Sequence, residues 1–223
     1  MSPLVVSIEG NLLSGVTSII KTLQDKHQSD YKLQPVFEPL RNIIHSIIGD
    51  VRWLQHKESP NGVSSCVLEM AAFFSQRSEI EIRQDTNVLI LDRSLSSLRH
   101  VFHLTSDMTV LCDPMDASAL HELYNSMQKF VPTPDLIVYV HAPIEDLRSR
   151  QDARSMSKDR HISYQTLVDV DNLYNDLFAV YAAKEHSPVV VMVDNSDNNL
   201  GRAAYRTHAA ISEMVLFKKQ SKY

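Results

Sequence analysis

The sequence predicts an α/β fold, a three-layer sandwich around a five-stranded parallel sheet. Three observations predict it. Five short β-branched runs are almost continuously apolar, as strands covered on both faces are. Segments with apolar residues at helical spacing separate these runs. Two glycines and a hydroxyl residue mark the turn from the first run into the first helical segment. Strands alternating with helices fold as βαβ units, whose crossovers place helices on both faces of a parallel sheet.

The first strand covers residues 4–8, and the first helix covers 17–26, with Ile19, Ile20 and Leu23 on one side. Residues 32–37 form a weaker second strand. Residues 41–54 repeat Ile43, Ile44, Ile47, Ile48 and Val51 at a period near 3.6, and 64–83 form a long helix carrying Val67, Met70, Ala71, Phe74 and Ile82. Pro60 and Asn61-Gly62 make the stretch between them a loop. The third strand, 88–91, leads into helices at 94–104 and 116–130. The fourth, 136–140, leads into a helix at 144–154, a polar break at 155–160 and a helix at 164–184. The fifth, 189–193, leads into a final helix at 198–217. No shift of composition divides the chain, so residues 1–223 are expected to form one domain, with a lid segment around 148–161.

The 22 Lys+Arg against 27 Asp+Glu, a net charge of −5, argue against a surface that tracks nucleic-acid phosphates. Cys66 and Cys112 make neither a metal spacing nor a disulfide framework, which suits a reducing compartment. No apolar run approaches the ~18 residues a membrane span needs. The opening residues lack the basic n-region of a secretory signal. A cytoplasmic protein that binds neither membrane nor nucleic acid is the expectation.

Residues 8–18 match the phosphate-loop pattern GxxxxGK[ST] at Gly10, Gly15 and Thr17, but Val16 stands where the lysine belongs. Loop and helix N–H groups still favour an anion. What is lost is a full charge at the transferring group, where transition-state charge is stabilised. By itself the loop fits an anion cradle or a tight βα turn in a fold that binds no nucleotide. Glu38 precedes Pro39 at the second strand's end, a position for a general base in the cleft above the sheet, or for a solvated loop carboxylate. Asp92 ends the third strand beside the loop, where it suits Mg²⁺; with Ser94 it also suits a helix N-cap. Arg93 follows it, placed to hold a phosphate or the base. Arg148, Arg150 and Arg154 lead into the polar break, either as a lid over a triphosphate or as a solvated basic face. His100 and His103 share a helix but have no evident third partner for a metal.

Taken together these motifs resemble the deoxynucleoside kinase family, the thymidine, deoxycytidine and deoxyguanosine kinases of animals and large DNA viruses. The matching stretches are Ile8-Glu-Gly-Asn through Thr17, Glu38-Pro39, and the run from Asp92-Arg93-Ser94 to Phe102. Others are Asp135 to Val140, the arginines 148, 150 and 154, and Val190 to Asp194. They fall in family order over almost the whole chain. The resemblance implies a P-loop kinase fold that transfers the ATP γ-phosphate to the 5′-hydroxyl of a (deoxy)nucleoside with Mg²⁺. Glu38 would take the hydroxyl proton, and Arg93 would touch the 5′-oxygen and the transferred phosphate. Thr17 and Asp92 would hold Mg²⁺. Gly10, Asn11, Ser14, Gly15, Thr17, Arg148, Arg150 and Arg154 would bind the donor. The ligands implied are a nucleoside and a nucleoside triphosphate. Family members are often homodimers, and the apolar faces of 41–54 and 64–83 are candidate contacts.

The departures point to weak or impaired catalysis. Val16 replaces the lysine and Leu13 a usual glycine. No tryptophan follows Glu38-Pro39, no glutamine lies near Ser64, and Val168, beside Asp169, stands where a sugar-binding glutamate is expected. Leu98 and Ala71 occupy positions that are polar in some members, so base preference is not inherited. The alternative is a catalytically inactive kinase fold acting as a binding or scaffold module. A nucleoside monophosphate kinase is disfavoured by Glu38-Pro39 and the run from Asp92 to Phe102.

Overall fold

The computed structural model describes residues 2–37, 85–101, 122, 124–126, 128–153 and 162–220. Their strands are β1 (Leu4–Gly10), β2 (Leu33–Val36), β3 (Val88–Asp92), β4 (Leu136–His141) and β5 (Val189–Asp194). Their helices, numbered in chain order, are α1 (Val16–Tyr31), α2 (Leu95–His100), α3 (Ile144–Ala153), α4 (Tyr164–Ala182) and α5 (Leu200–Gln220). The five strands form one all-parallel sheet in the order β2-β3-β1-β4-β5. The first strand is therefore central, and its loop emerges at the middle of the sheet's carboxyl edge.

Strand alternation divides the core into two layers. Val6, Ile8, Val88, Ile90, Leu136, Val138 and Val140 face Val16, Ile19, Ile20 and Leu23 of α1 and Ala203, Ala204 and Ile211 of α5. On the opposite face Tyr139 packs with Val101, Val170, Tyr174 and Leu177. A smaller group, Ala142, Leu147 and Leu167, joins α3 to α4. Helices thus cover both faces of the sheet, which makes three layers. The expected fold is the one observed.

Element edges differ from the sequence reading in ways that matter for the site. β1 continues through Glu9 and Gly10, and α1 runs on to Tyr31. β5 was expected to be covered on both faces. It is an edge strand on which Val189, Val190 and Met192 are exposed, while Val193 packs inward. The expected helices at 41–54 and 64–83 lie outside the described residues. Of the expected helix at 116–130, residues 124–126 are helical and 128–130 form a turn.

Lys218 of α5 donates to Asp135 Oδ2 at 2.9 Å and to the Pro3 carbonyl at 3.2 Å, while Val5 N also donates to Asp135 Oδ2. This staple ties the last helix to the start of β1.

Candidate functional site

The loop between β1 and α1 is held from three sides. From below, Gly10 leaves no room for a side chain. A Cβ there would collide with Ser14 Oγ and lie 2.7 Å from the Val140 carbonyl oxygen. Gly15 sits at φ +101°, a conformation that favours glycine, and so turns the chain into α1. From the α4 side, Asn11 Nδ2 donates to the Leu167 carbonyl at 2.7 Å, and Asn11 Oδ1 accepts from Leu12 N. From the β5 side, Asn195 Nδ2 donates to the Ser14 carbonyl at 2.8 Å.

Arg150 of α3 adds a cation to the outside of the same loop. Its Nη1 donates to the carbonyls of Leu13 at 3.2 Å and Ser14 at 3.4 Å. Its Nη2 donates to the carbonyls of Asn195 and Ser196. A guanidinium on the carbonyl side polarises these peptide units and leaves the loop's N–H side more positive. Among the described residues, Ser14 Oγ and Asn195 Oδ1 are buried without a hydrogen-bond partner. A tight turn with no ligand to serve would seldom leave such groups. The helix N-terminus, the cramped Gly10 and the orphaned Ser14 hydroxyl all fit a bound phosphate group.

Asp92 ends β3 beside this loop. Thr17 Oγ1, in the first turn of α1, donates to Asp92 Oδ2 at 2.9 Å. Two oxygens on adjacent corners of an octahedral Mg²⁺ site stand about 3.0 Å apart, given Mg–O distances near 2.1 Å. The pair therefore has the donor chemistry and the spacing for that ion. Ser94, next in sequence, caps α2 by accepting from Ser97 N. Of the two N-cap candidates, the cap is Ser94, which leaves Asp92 to the loop.

Arg93 lies between them at φ +69° and is buried. Its Nη1 donates to the Gly10 carbonyl at 2.6 Å and to Tyr174 Oη at 3.1 Å. The loop, Asp92 and Arg93 thus meet at the carboxyl ends of adjacent parallel strands. β2 ends there too, with Val36 opposite Leu91. Glu38 and Arg154 lie outside the described residues.

Two other sequence candidates are placed differently from expectation. Arg148 does not turn to the loop. Its Nη1 donates to Gln151 Oε1 and the Ile162 carbonyl, and its Nε lies 3.9 Å from Asp152. Asp169 accepts from Gln165 Nε2 on the exposed side of α4. Val16 is buried in the layer between α1 and the sheet. Its Cγ2 lies 3.1 Å from where a Gly10 Cβ would stand, so it forms the floor beneath the loop. Leu13 adopts φ +67°, which explains why a glycine suits that position.

Three contributors carry no role in the sequence analysis, although Glu9 lies within the matching stretch. Asn195 follows β5 in a polar turn, an ordinary loop by composition. Glu9 directly precedes Gly10 in a strand that is otherwise apolar apart from Ser7, which is a visible signal. Tyr174 sits in an unremarkable helical pattern.

A second polar cluster joins α1 and α5 near the other end of α1. Asp30 Oδ2 lies 2.9 Å from His27 Nδ1 and 3.3 Å from His208 Nε2, and the two rings stack with centroids 3.8 Å apart and planes inclined by 27°. The bond to His27 holds the Asp30 carboxyl below its ordinary range, and burial followed by the neighbouring His27 lowers His208. An imidazole binds a metal along a lone pair in its own ring plane, at about 2.0–2.1 Å. Stacked rings do not aim two such lone pairs at one point. The cluster is a staple between helices, some 16 Å along α1 from the loop at 1.5 Å per residue.

The sequence profile described as deoxynucleoside kinase matches residues 6–215. No curated protein is matched by the sequence itself. A similar solved structure is that of deoxyadenosine kinase from M. mycoides with products dCMP and a flexible dCDP bound. It superposes with a TM-score of 0.70 at 14% identity, covering 94% of this chain and 100% of that one. At that identity the likeness speaks for the fold. Among the described residues, no helix is long and apolar enough to cross a membrane.

Proposed function

Because the chain belongs to the deoxynucleoside kinase family, we propose that it transfers a γ-phosphate from Mg-ATP to the 5′-hydroxyl of a deoxynucleoside, at a rate lowered by Val16. The observation that carries the reading is the meeting of the loop, the Thr17–Asp92 pair and Arg93 at one point of the sheet's carboxyl edge. In this reading the loop N–H groups and the Ser14 hydroxyl receive the donor phosphates. Thr17 and Asp92 hold Mg²⁺, which neutralises charge on the transferring phosphate. Arg93 faces the 5′-oxygen and the incoming phosphate. Glu38, just beyond β2, takes the hydroxyl proton, a role that rests on the resemblance. Arg154, within a lid at 148–161, closes over the donor, while Arg150 works from behind the loop through its carbonyls. The products bound in the M. mycoides enzyme, a monophosphate and a diphosphate, fit an acceptor and a donor site of this kind. They also make dCTP a donor worth testing.

A second reading, a binding module without turnover, is favoured by one observation: the position of the lysine is filled by a buried aliphatic side chain. Calorimetric titration with Mg-ATP, Mg-dCTP and a panel of deoxynucleosides, run beside a turnover assay, separates the two. Binding of donor and acceptor with formation of a 5′-monophosphate supports the kinase. Binding with no product from any pair supports the module.

A further inference from the structure

The site contains a buried carboxylate to which the reaction assigns no role. Glu9 lies on β1, facing α4, and is 1% exposed. Its Oε1 accepts from Ser7 Oγ at 2.6 Å and from Ser94 N at 2.7 Å. Its Oε2 accepts from Tyr174 Oη at 3.0 Å. The same phenol oxygen accepts from Arg93 Nη1 at 3.1 Å and from Gly10 N at 3.4 Å. A chain of hydrogen bonds therefore runs from the Glu9 carboxylate through Tyr174 to the Arg93 guanidinium.

The direction of each bond follows from the chemistry. A guanidinium only donates and a carboxylate only accepts, so the phenol proton must point to Glu9 and its lone pairs to Arg93 and Gly10. Burial first, and then the charge of Glu9, hold the Tyr174 proton well above the ordinary tyrosine range, so this arrangement persists at any working pH. Arg93 needs such support. It is buried and sits at φ +69°, where a non-glycine residue is strained. A buried cation is costly without counter-charge, and Glu9 contributes negative charge to it through the bridging Tyr174 hydroxyl. Glu9 also holds the Ser94 N–H, which fixes the backbone on the far side of Arg93.

We infer that Glu9 and Tyr174 are positioning residues: they fix the Arg93 guanidinium against the phosphate loop and so set where it meets the transferred phosphate. The inference rests on the kinase reading for the role of Arg93, but the pinning itself is testable without turnover. Glu9 then acts as the distant half of an ion pair whose other half faces substrate.

The test uses the full chain and two variants, Tyr174→Phe and Glu9→Gln. Tyr174→Phe removes one oxygen and keeps the ring packed between Tyr139 and Phe178. Nitrogen-proton NMR of the arginine side chains reads the pinning directly, with Arg93 assigned by comparison with Arg93→Lys. The wild-type protein should show separate, slowly rotating Nη signals for Arg93, and both variants should lose them. In turnover, kcat should fall roughly tenfold to a hundredfold with KM for Mg-ATP within about twofold, because geometry at the reacting atoms is lost while donor binding is kept. Retained Arg93 signals with unchanged kcat in Tyr174→Phe would overturn the inference, as would their absence from the wild type. Should Glu9→Gln fail to fold, Tyr174→Phe decides alone. If the wild type transfers phosphate to no nucleoside, the kinase reading falls, and the Arg93 signals still decide the pinning.

Discussion

Arg150 offers the sharpest test of how the loop is held. Replacing it with Met keeps most of the apolar stem and removes the guanidinium. Its two terminal nitrogens serve the carbonyls of Leu13, Ser14, Asn195 and Ser196. A hydrogen bond to a charged group contributes about 1.5–3 kcal/mol, so one effective bond per nitrogen gives about 3–6 kcal/mol. The residue is only half-buried, and water recovers part of this, leaving about 2–3 kcal/mol. For a chain of this size that corresponds to a fall in Tm of roughly 4–12 °C. Mg-ATP affinity should drop about tenfold, because the loop N–H groups lose both their polarisation and their order. Arg150→Lys should fall between, since an ammonium is a point charge that cannot bracket both pairs of carbonyls. Differential scanning calorimetry and nucleotide titration read the two effects. Lost affinity at unchanged Tm would refute the clamp and make Arg150 a direct phosphate contact. Unchanged affinity and Tm would remove it from the site.

Three further outcomes follow from the geometry. Gly10→Ala should cost more than 3 kcal/mol of stability and abolish nucleotide binding, because the new methyl meets the Val140 carbonyl at 2.7 Å and only the backbone can yield; urea denaturation checks it. Leu13→Ala should destabilise more than Leu13→Gly, because both lose the packing on Ala142, Leu147 and Leu167 but only Gly relieves the φ +67° strain of about 1–2 kcal/mol. His208 is held below its ordinary value of 6.5, so the unfolded chain takes up this proton first as pH falls. Stability from this group is present above about pH 6.5 and lost below it, and the drop in Tm between pH 7 and 5.5 should be smaller in His208→Asn.

The fold was legible because burial on both faces forces strands to be apolar and helices to be amphipathic. β1, β3 and β4 show it. β5 misled: its Val189-Val-Val-Met run reads as a covered strand but lies at an edge. β1 runs two residues past Ile8, the expected end, through a charged residue. Glu9 stays inside only because Ser7, Ser94 and Tyr174 satisfy it, and Tyr174 lies 165 residues away. No local pattern announces such a partner. The convergence of the β1–α1 loop, Asp92 and Arg93 was legible because each follows a parallel strand at the same edge of the sheet. Arg150 was legible as a cation near the loop, but its targets, four backbone carbonyls, have no signature in side-chain identity. Arg148 was grouped with it by sequence spacing, yet two residues along a helix is about 200° of rotation, which turns it away.

The proposed kinase site lacks one charge, that of the lysine replaced by Val16. This is tested most directly by following γ-phosphate transfer from Mg-ATP to a deoxynucleoside panel by phosphorus NMR, in the wild type and in Val16→Lys. Val16 forms the apolar floor beside Gly10, so a lysine stem suits the same path and its ammonium emerges at the loop. Slow formation of a 5′-monophosphate by the wild type is expected, with a gain on the order of 10²–10³ in Val16→Lys, the usual effect of one preorganised charge-stabilising group. A wild type that already turns over at roughly 1–100 per second would contradict the role given to Val16. A Val16→Lys protein that binds Mg-ATP and yields no product with any nucleoside would contradict the claim of an intact site.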